Sequence, residues 1–143
     1  MTTRNAHRSE KGQSLVELSV CTVILLILLA GIVDLGRGLL TFMTLREATT
    51  EGLLYGSYAP ADHAGIEARV RASSRFPVNL RDPEVVSVAV STPPNPCTGK
   101  AVTVEVTYVY KSLTPLLGTL LGRQDFPMTT SSTGTILSPP CRN

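Results

Sequence analysis

The sixteen residues from Leu18 to Val33, LSVCTVILLILLAGIV, hold no charge and no proline. Counted from Leu15, the apolar stretch forms about 28 Å of helix at about 1.5 Å per residue. That approaches the roughly 30 Å hydrocarbon thickness of a bilayer. A core helix in a soluble domain is apolar along one stripe, whereas this run is apolar on every side. A membrane-spanning helix is therefore expected over about residues 15–33. Arg4, Arg8 and Lys11 precede it, which keeps the amino end cytoplasmic and sends the carboxyl end across. The chain is thus expected to be a single-pass membrane protein with an exported head.

The remaining composition narrows the chemistry. Arg4, Arg8 and Lys11 are opposed before Gly12 only by Glu10, and from Gln13 onward acidic and basic residues balance. A neutral chain lacks the basic patch that phosphate binding requires, so nucleic acid is not an expected partner. The two histidines are His7 and His63, and no CxxC, HExxH, P-loop or GxSxG pattern occurs. With a single histidine in the exported part, a metal site is not expected at His63. No catalytic set stands out, so neither enzymatic activity nor a cofactor is expected.

Glu17 is the anomaly. An ion buried in lipid costs on the order of 3 kcal/mol or more, and such charges tend to be functional. A secretory signal peptide cut after the apolar run would place Ala30 at the −1 position and Leu28 at −3, where a small residue is needed. A cut after Gly12 fits better. It discards MTTRNAHRSEKG, makes Gln13 the new terminus and Glu17 the fifth residue, and retains the anchor. Glycine before the cut leaves the backbone uncluttered.

These residues carry a family resemblance. The string GQSLVELSVCTVILLILLAGIVDLGRGLL resembles the start of the TadE-like pseudopilins, minor pilins of the tight-adherence (Flp) type IVb pilus system. Gly12, Gln13, Glu17, Asp34, Gly36 and Arg37 match that pattern in order, over about residues 8 to 59. Leu18 stands where an aromatic residue is common. The resemblance implies cleavage by a prepilin peptidase and work at an inner-membrane pilus assembly platform among other pilins and pseudopilins. In a bundle of such helices, the Glu17 carboxylate can meet the freed α-amino group of a neighbour's Gln13, compensating both charges and setting axial register. The plainer alternative is a carboxylate resting near the headgroups. A different overall reading is an uncleaved, signal-anchored envelope protein with a non-catalytic binding head.

Beyond the span, Leu35, Leu39, Phe42, Leu45, Ala48, Gly52, Tyr55 and Ala59 recur at helical spacing and predict an amphipathic continuation that Pro60 stops. Asp34 and Arg37, three apart, are expected to pair at the outer membrane surface. Gly31, Gly36 and Gly38 offer close helix approach or simple flexibility. Asp62 is a candidate N-cap for DHAGIEARVRASS, with Ile66 and Val70 inward and Arg69 and Arg71 outward. Alternation predicts strands at residues 86–91 and 102–111, with STPPNPCTGK as the loop between them, and FPMTTSSTGTIL as a third. LTPLLGTLLG is an apolar excursion, lying on the sheet or near the membrane.

The expected architecture is α+β: a basic leader (1–12), a long amino-terminal helix (13–59), and a small antiparallel β-rich head (60–143). Export to an oxidising compartment, and the proline-rich settings of PPNPC and SPPC, predict a Cys97–Cys141 disulfide, with Cys21 reduced in the membrane. Two free thiols are the alternative.

Overall fold

The computed structural model describes residues 7–113, 118–119, 122 and 124–141, with side chains from residue 12. Helix α1, His7–Tyr58, is 52 residues long and contains no proline. It extends about 78 Å at the usual rise. Its last turn closes with Ala59 N donating to Tyr55 O at 3.0 Å, and Pro60, which has no N–H to offer, follows. From Gly12 to Leu29 every side chain is exposed, and Ala30 and Gly31 are only partly covered. The helix is long and apolar enough to cross a membrane.

Helix α2, His63–Ala72, starts where the Asp62 carboxylate accepts the Gly65 N–H at 2.9 Å. That bond satisfies one of the donors a helix start leaves open. Ile66 and Val70 are buried. Arg69 stays exposed, but the Arg71 side chain is mostly covered rather than outward: its Nε donates to Glu67 Oε1 at 2.8 Å and its Nη1 to Leu80 O at 3.1 Å. A carbonyl on the following loop draws the long side chain back along the protein surface.

Three strands complete the head: β1 (Val86–Ser91), β2 (Ala101–Lys111) and β3 (Asp125–Thr135), in the order β1-β2-β3 with both pairs antiparallel. Val88 faces Val106, and Lys111 faces Asp125. Val102, Val104, Val106 and Tyr110 are buried. On the other face Thr103 bonds Thr133 at 2.8 Å and Thr107 bonds Thr129 at 2.9 Å. The period of two therefore separates a valine face from a threonine face. Val86, Val104 and Val106 join Leu45, Ala48, Ile66, Val70, Val78 and Leu80 in one core. The fold is α+β, as the alternation predicts. Most of LTPLLGTLLG lies outside the described residues.

The face of α1 that meets the sheet differs from the expected stripe. Leu45, Ala48 and Gly52 are buried, yet Leu35, Leu39 and Phe42 are exposed. The covered line runs instead through Asp34, Gly38, Thr41, Leu45, Ala48 and Gly52, at alternating steps of four and three. The approach is closest near the end of the helix: a Cβ on Gly52 would lie 2.5 Å from Val70 Cγ2 and 3.3 Å from Val104 Cγ1, and one on Gly56 would lie 3.2 Å from Ile66 Cδ1. No larger side chain fits at those two positions. The buried hydroxyls are satisfied locally: Thr44 donates to Leu40 O, Thr49 to Arg46 O and Ser57 to Leu53 O, each at 2.8–2.9 Å. Gly31 and Gly36 meet nothing within 4 Å, and only Gly38 touches the head, near Met128.

Candidate functional site

Two parts of α1 bear on function, and the sequence places them at opposite ends of the span. Gly12, Gln13 and Glu17 lie on the exposed, continuous helix. Gly12 is inside the helix rather than at its start. Helical backbone must open locally before a protease can grip it, and glycine lowers that cost by about 1 kcal/mol relative to alanine. The polar groups next to Glu17 are handled within the helix: Ser19 Oγ donates to Val16 O at 2.7 Å and Thr22 Oγ1 to Leu18 O at 2.8 Å. Such back-bonding keeps hydroxyls paired where no water is available. Cys21 is a free, exposed thiol on the same stretch.

At the far end Asp34 is 2 % exposed. Its Oδ2 accepts from Ser112 Oγ at 3.0 Å, and its Oδ1 accepts from Leu113 N at 3.1 Å. The Tyr110 hydroxyl donates to the Asp34 backbone carbonyl at 3.1 Å. Arg37 Nη1 stands 3.8 Å from Asp34 Oδ1, and its guanidinium lies 5.9 Å from the Tyr110 ring centre. The Asp34–Arg37 pair is therefore long, and the shorter bonds to Asp34 come from the end of β2. The carboxylate fastens the helix to the head where the exposed span ends. Burial pushes the Tyr110 phenol above its ordinary pKa, against the lowering effect of Arg37. The signal that Asp34 serves the head is faint in the sequence: it lies in the chain order of Asp34 and Ser112, which only the fold brings together.

At the other end of the head, Cys97 and Cys141 are bridged, with Cα atoms 4.9 Å apart. Around the bridge, Thr98 N donates to Pro139 O at 2.8 Å and Ile136 N to Lys100 O at 2.8 Å. Leu137 N and Ser138 N both donate to Ser57 O, tying the carboxyl-terminal segment to the last turns of α1. His63 Nε2 lies 3.0 Å from Thr92 Oγ1. Among the described residues no group of three or more His, Cys, Asp or Glu is placed to hold a metal ion.

The Tyr55 hydroxyl donates to Asp62 at 2.8 Å, and Arg69 covers the Tyr55 ring at 5.4 Å. The Gly65 N–H and then the Tyr55 hydroxyl hold the Asp62 carboxyl below the usual range, and the same carboxylate raises Tyr55. These contacts brace α1 against α2. The cap is legible in the sequence but the tyrosine's role is not, since its spacing puts Tyr55 on the apolar stripe.

Neither a curated protein nor a solved structure matches the chain. Residues 12–53, from the glycine of the amino-terminal signature to the part of α1 that bears the head, match the model of the TadE family, described as TadE-like protein, and this is the family the signature residues resemble.

Proposed function

We propose that the chain is a pilus-associated minor pilin of the tight-adherence kind, processed after Gly12 by a prepilin peptidase and held in the inner membrane by α1 with its head exported. The observation that carries this reading is the TadE-like match beginning at Gly12, on a helix whose first half is exposed and apolar. A helix of that kind is covered either by lipid or by other helices, and a pilin uses both in turn. Glu17 is the assembly group: once Gln13 is the amino terminus, a neighbour's α-amino group neutralises the carboxylate and fixes how far one helix slides along the next. The partners are the peptidase, other pilins and pseudopilins, and the assembly platform; the head acts as a binding and packing module, not as an enzyme.

Glu17→Ala tests the assembly role in cells that make such pili. The variant inserts at least as well as the parent, because a charge leaves the lipid, and its leader is removed. It then fails to support pili. Normal pili with Glu17→Ala would rule out the pairing role.

A further inference from the structure

The head is fastened to α1 at the level where the apolar span ends, and this brings the end of the sheet where β2 finishes level with that point. Asp34 is the first charged residue after the span, and its carboxylate accepts from Ser112 Oγ and from the backbone N–H of Leu113. Leu113 is thus level with Asp34 along α1, and it is 68 % exposed. A leucine presented to water at that height is unfavourable; presented to acyl chains it is not. Cations stand just outside it. Arg37, one turn further along α1, has a half-exposed side chain, and Lys111 is exposed at the end of β2, in register with Asp125. An exposed leucine with Arg37 and Lys111 beside it suits a membrane interface, where the long basic chains reach the headgroups.

We propose that the membrane-proximal end of the sheet, at Leu113 just past β2, seats in the outer face of the phospholipid bilayer beside α1, giving the head a second lipid contact. The inference rests on α1 spanning the bilayer. The second contact restrains rotation and tilt of the head about the helix, so the subunit presents one face to its neighbours while still in the membrane.

The chain has no tryptophan, so a single introduced indole is a unique reporter. Three full-length variants, Leu113→Trp, Leu25→Trp and Tyr58→Trp, are reconstituted into phosphatidylethanolamine–phosphatidylglycerol vesicles with or without brominated acyl chains. All three parent side chains are exposed, so none of the changes enters the core. Bromine near the glycerol end of the chains should quench most of the Leu113→Trp emission. Bromine deeper in the chains should quench Leu25→Trp more strongly, and Tyr58→Trp, at the far end of α1, should be unaffected. Leu113→Trp behaving like Tyr58→Trp while Leu25→Trp is quenched overturns the proposal and leaves the span intact. Blue-shifted but unquenched emission from Leu113→Trp overturns it equally, since the cover is then protein. Absence of quenching at Leu25→Trp overturns the spanning reading and this inference with it. An environment-sensitive dye on Leu113→Cys, in a Cys21→Ser background, gives the same comparison without an indole.

Discussion

Glu17 and Asp34 are carboxylates on one helix, and their surroundings give them opposite work. Asp34 is enclosed by the head and accepts two hydrogen bonds from the end of β2; Glu17 is exposed on the span. Removing the Asp34 acceptor takes one hydrogen bond from the Leu113 N–H and one from the Ser112 hydroxyl, at a cost of about 1–3 kcal/mol. Asp34→Ala should therefore lower the denaturant midpoint of the detergent-solubilised protein and speed protease cleavage just after β2. Glu17→Ala should change neither, and equal effects from the two variants would contradict the division of roles. Asp62 gives a pH test. Its pKa is lower in the folded chain than in the unfolded one, so the folded state binds fewer protons. The stability it contributes is full above the ordinary carboxylate value and is lost as pH falls through the folded value. Asp62→Ala should remove that part of the acid dependence, measured as a smaller drop in melting temperature over the acidic range. Gly12→Val should leave the leader attached, because a β-branched side chain obstructs the backbone at the cut; mass spectrometry of the membrane-bound chain reads it directly.

Helix α1 shows how far periodicity reaches. The span, the stop at Pro60, the Asp62 cap and the alternation of β2 were all legible because each depends on residues close in sequence. The buried line of α1 was legible only in part. Apolar spacing points to Leu35, Leu39 and Phe42, whereas the sheet covers Asp34, Gly38 and Thr41. On the lower part of that face the covered position is taken by polar contact, Asp34 accepting from Ser112 and Leu113, and further along Thr44 and Thr49, whose hydroxyls bond back to their own helix, behave as small, satisfied groups. The glycines invert in the same way. Those within and just beyond the span, Gly31 and Gly36, meet nothing, and Gly52 sits beneath Val70 and Val104. Gly52→Ala should destabilise the head by about 1–3 kcal/mol through overpacking. Gly36→Ala should be neutral or stabilise α1 by up to about 1 kcal/mol. Denaturation midpoints of the two variants, compared with the parent in the same detergent, check both. A Gly52→Ala protein as stable as the parent would show that the contact between α1 and α2 is looser than the structure has it.

The protein is a long rod with a small head fastened to the carboxyl-terminal half of α1 at two levels. Asp34 holds the end of β2 where the exposed apolar stretch ends, and Ser57 accepts from Leu137 N and Ser138 N at the far end. The Cys97–Cys141 bridge, 44 residues apart in sequence, sits beside that second fastening. Closing such a loop restricts the unfolded chain by roughly 4 kcal/mol in the entropy model, a large share for a head with one modest core. The paired change Cys97→Ser and Cys141→Ser should lower unfolding free energy by about that amount, and peptide mapping without reduction should recover the two cysteines joined. With the head secured to its carboxyl-terminal half, α1 leaves the stretch from Gly12 to Leu29 exposed for lipid or for other helices. Whether that stretch is a pilin helix depends on its first residue. The most direct measurement is the intact mass and amino-terminal sequence of the protein taken from native membranes: a chain beginning at Gln13 is the predicted result, and a membrane-embedded chain that still begins at Met1 would contradict the account.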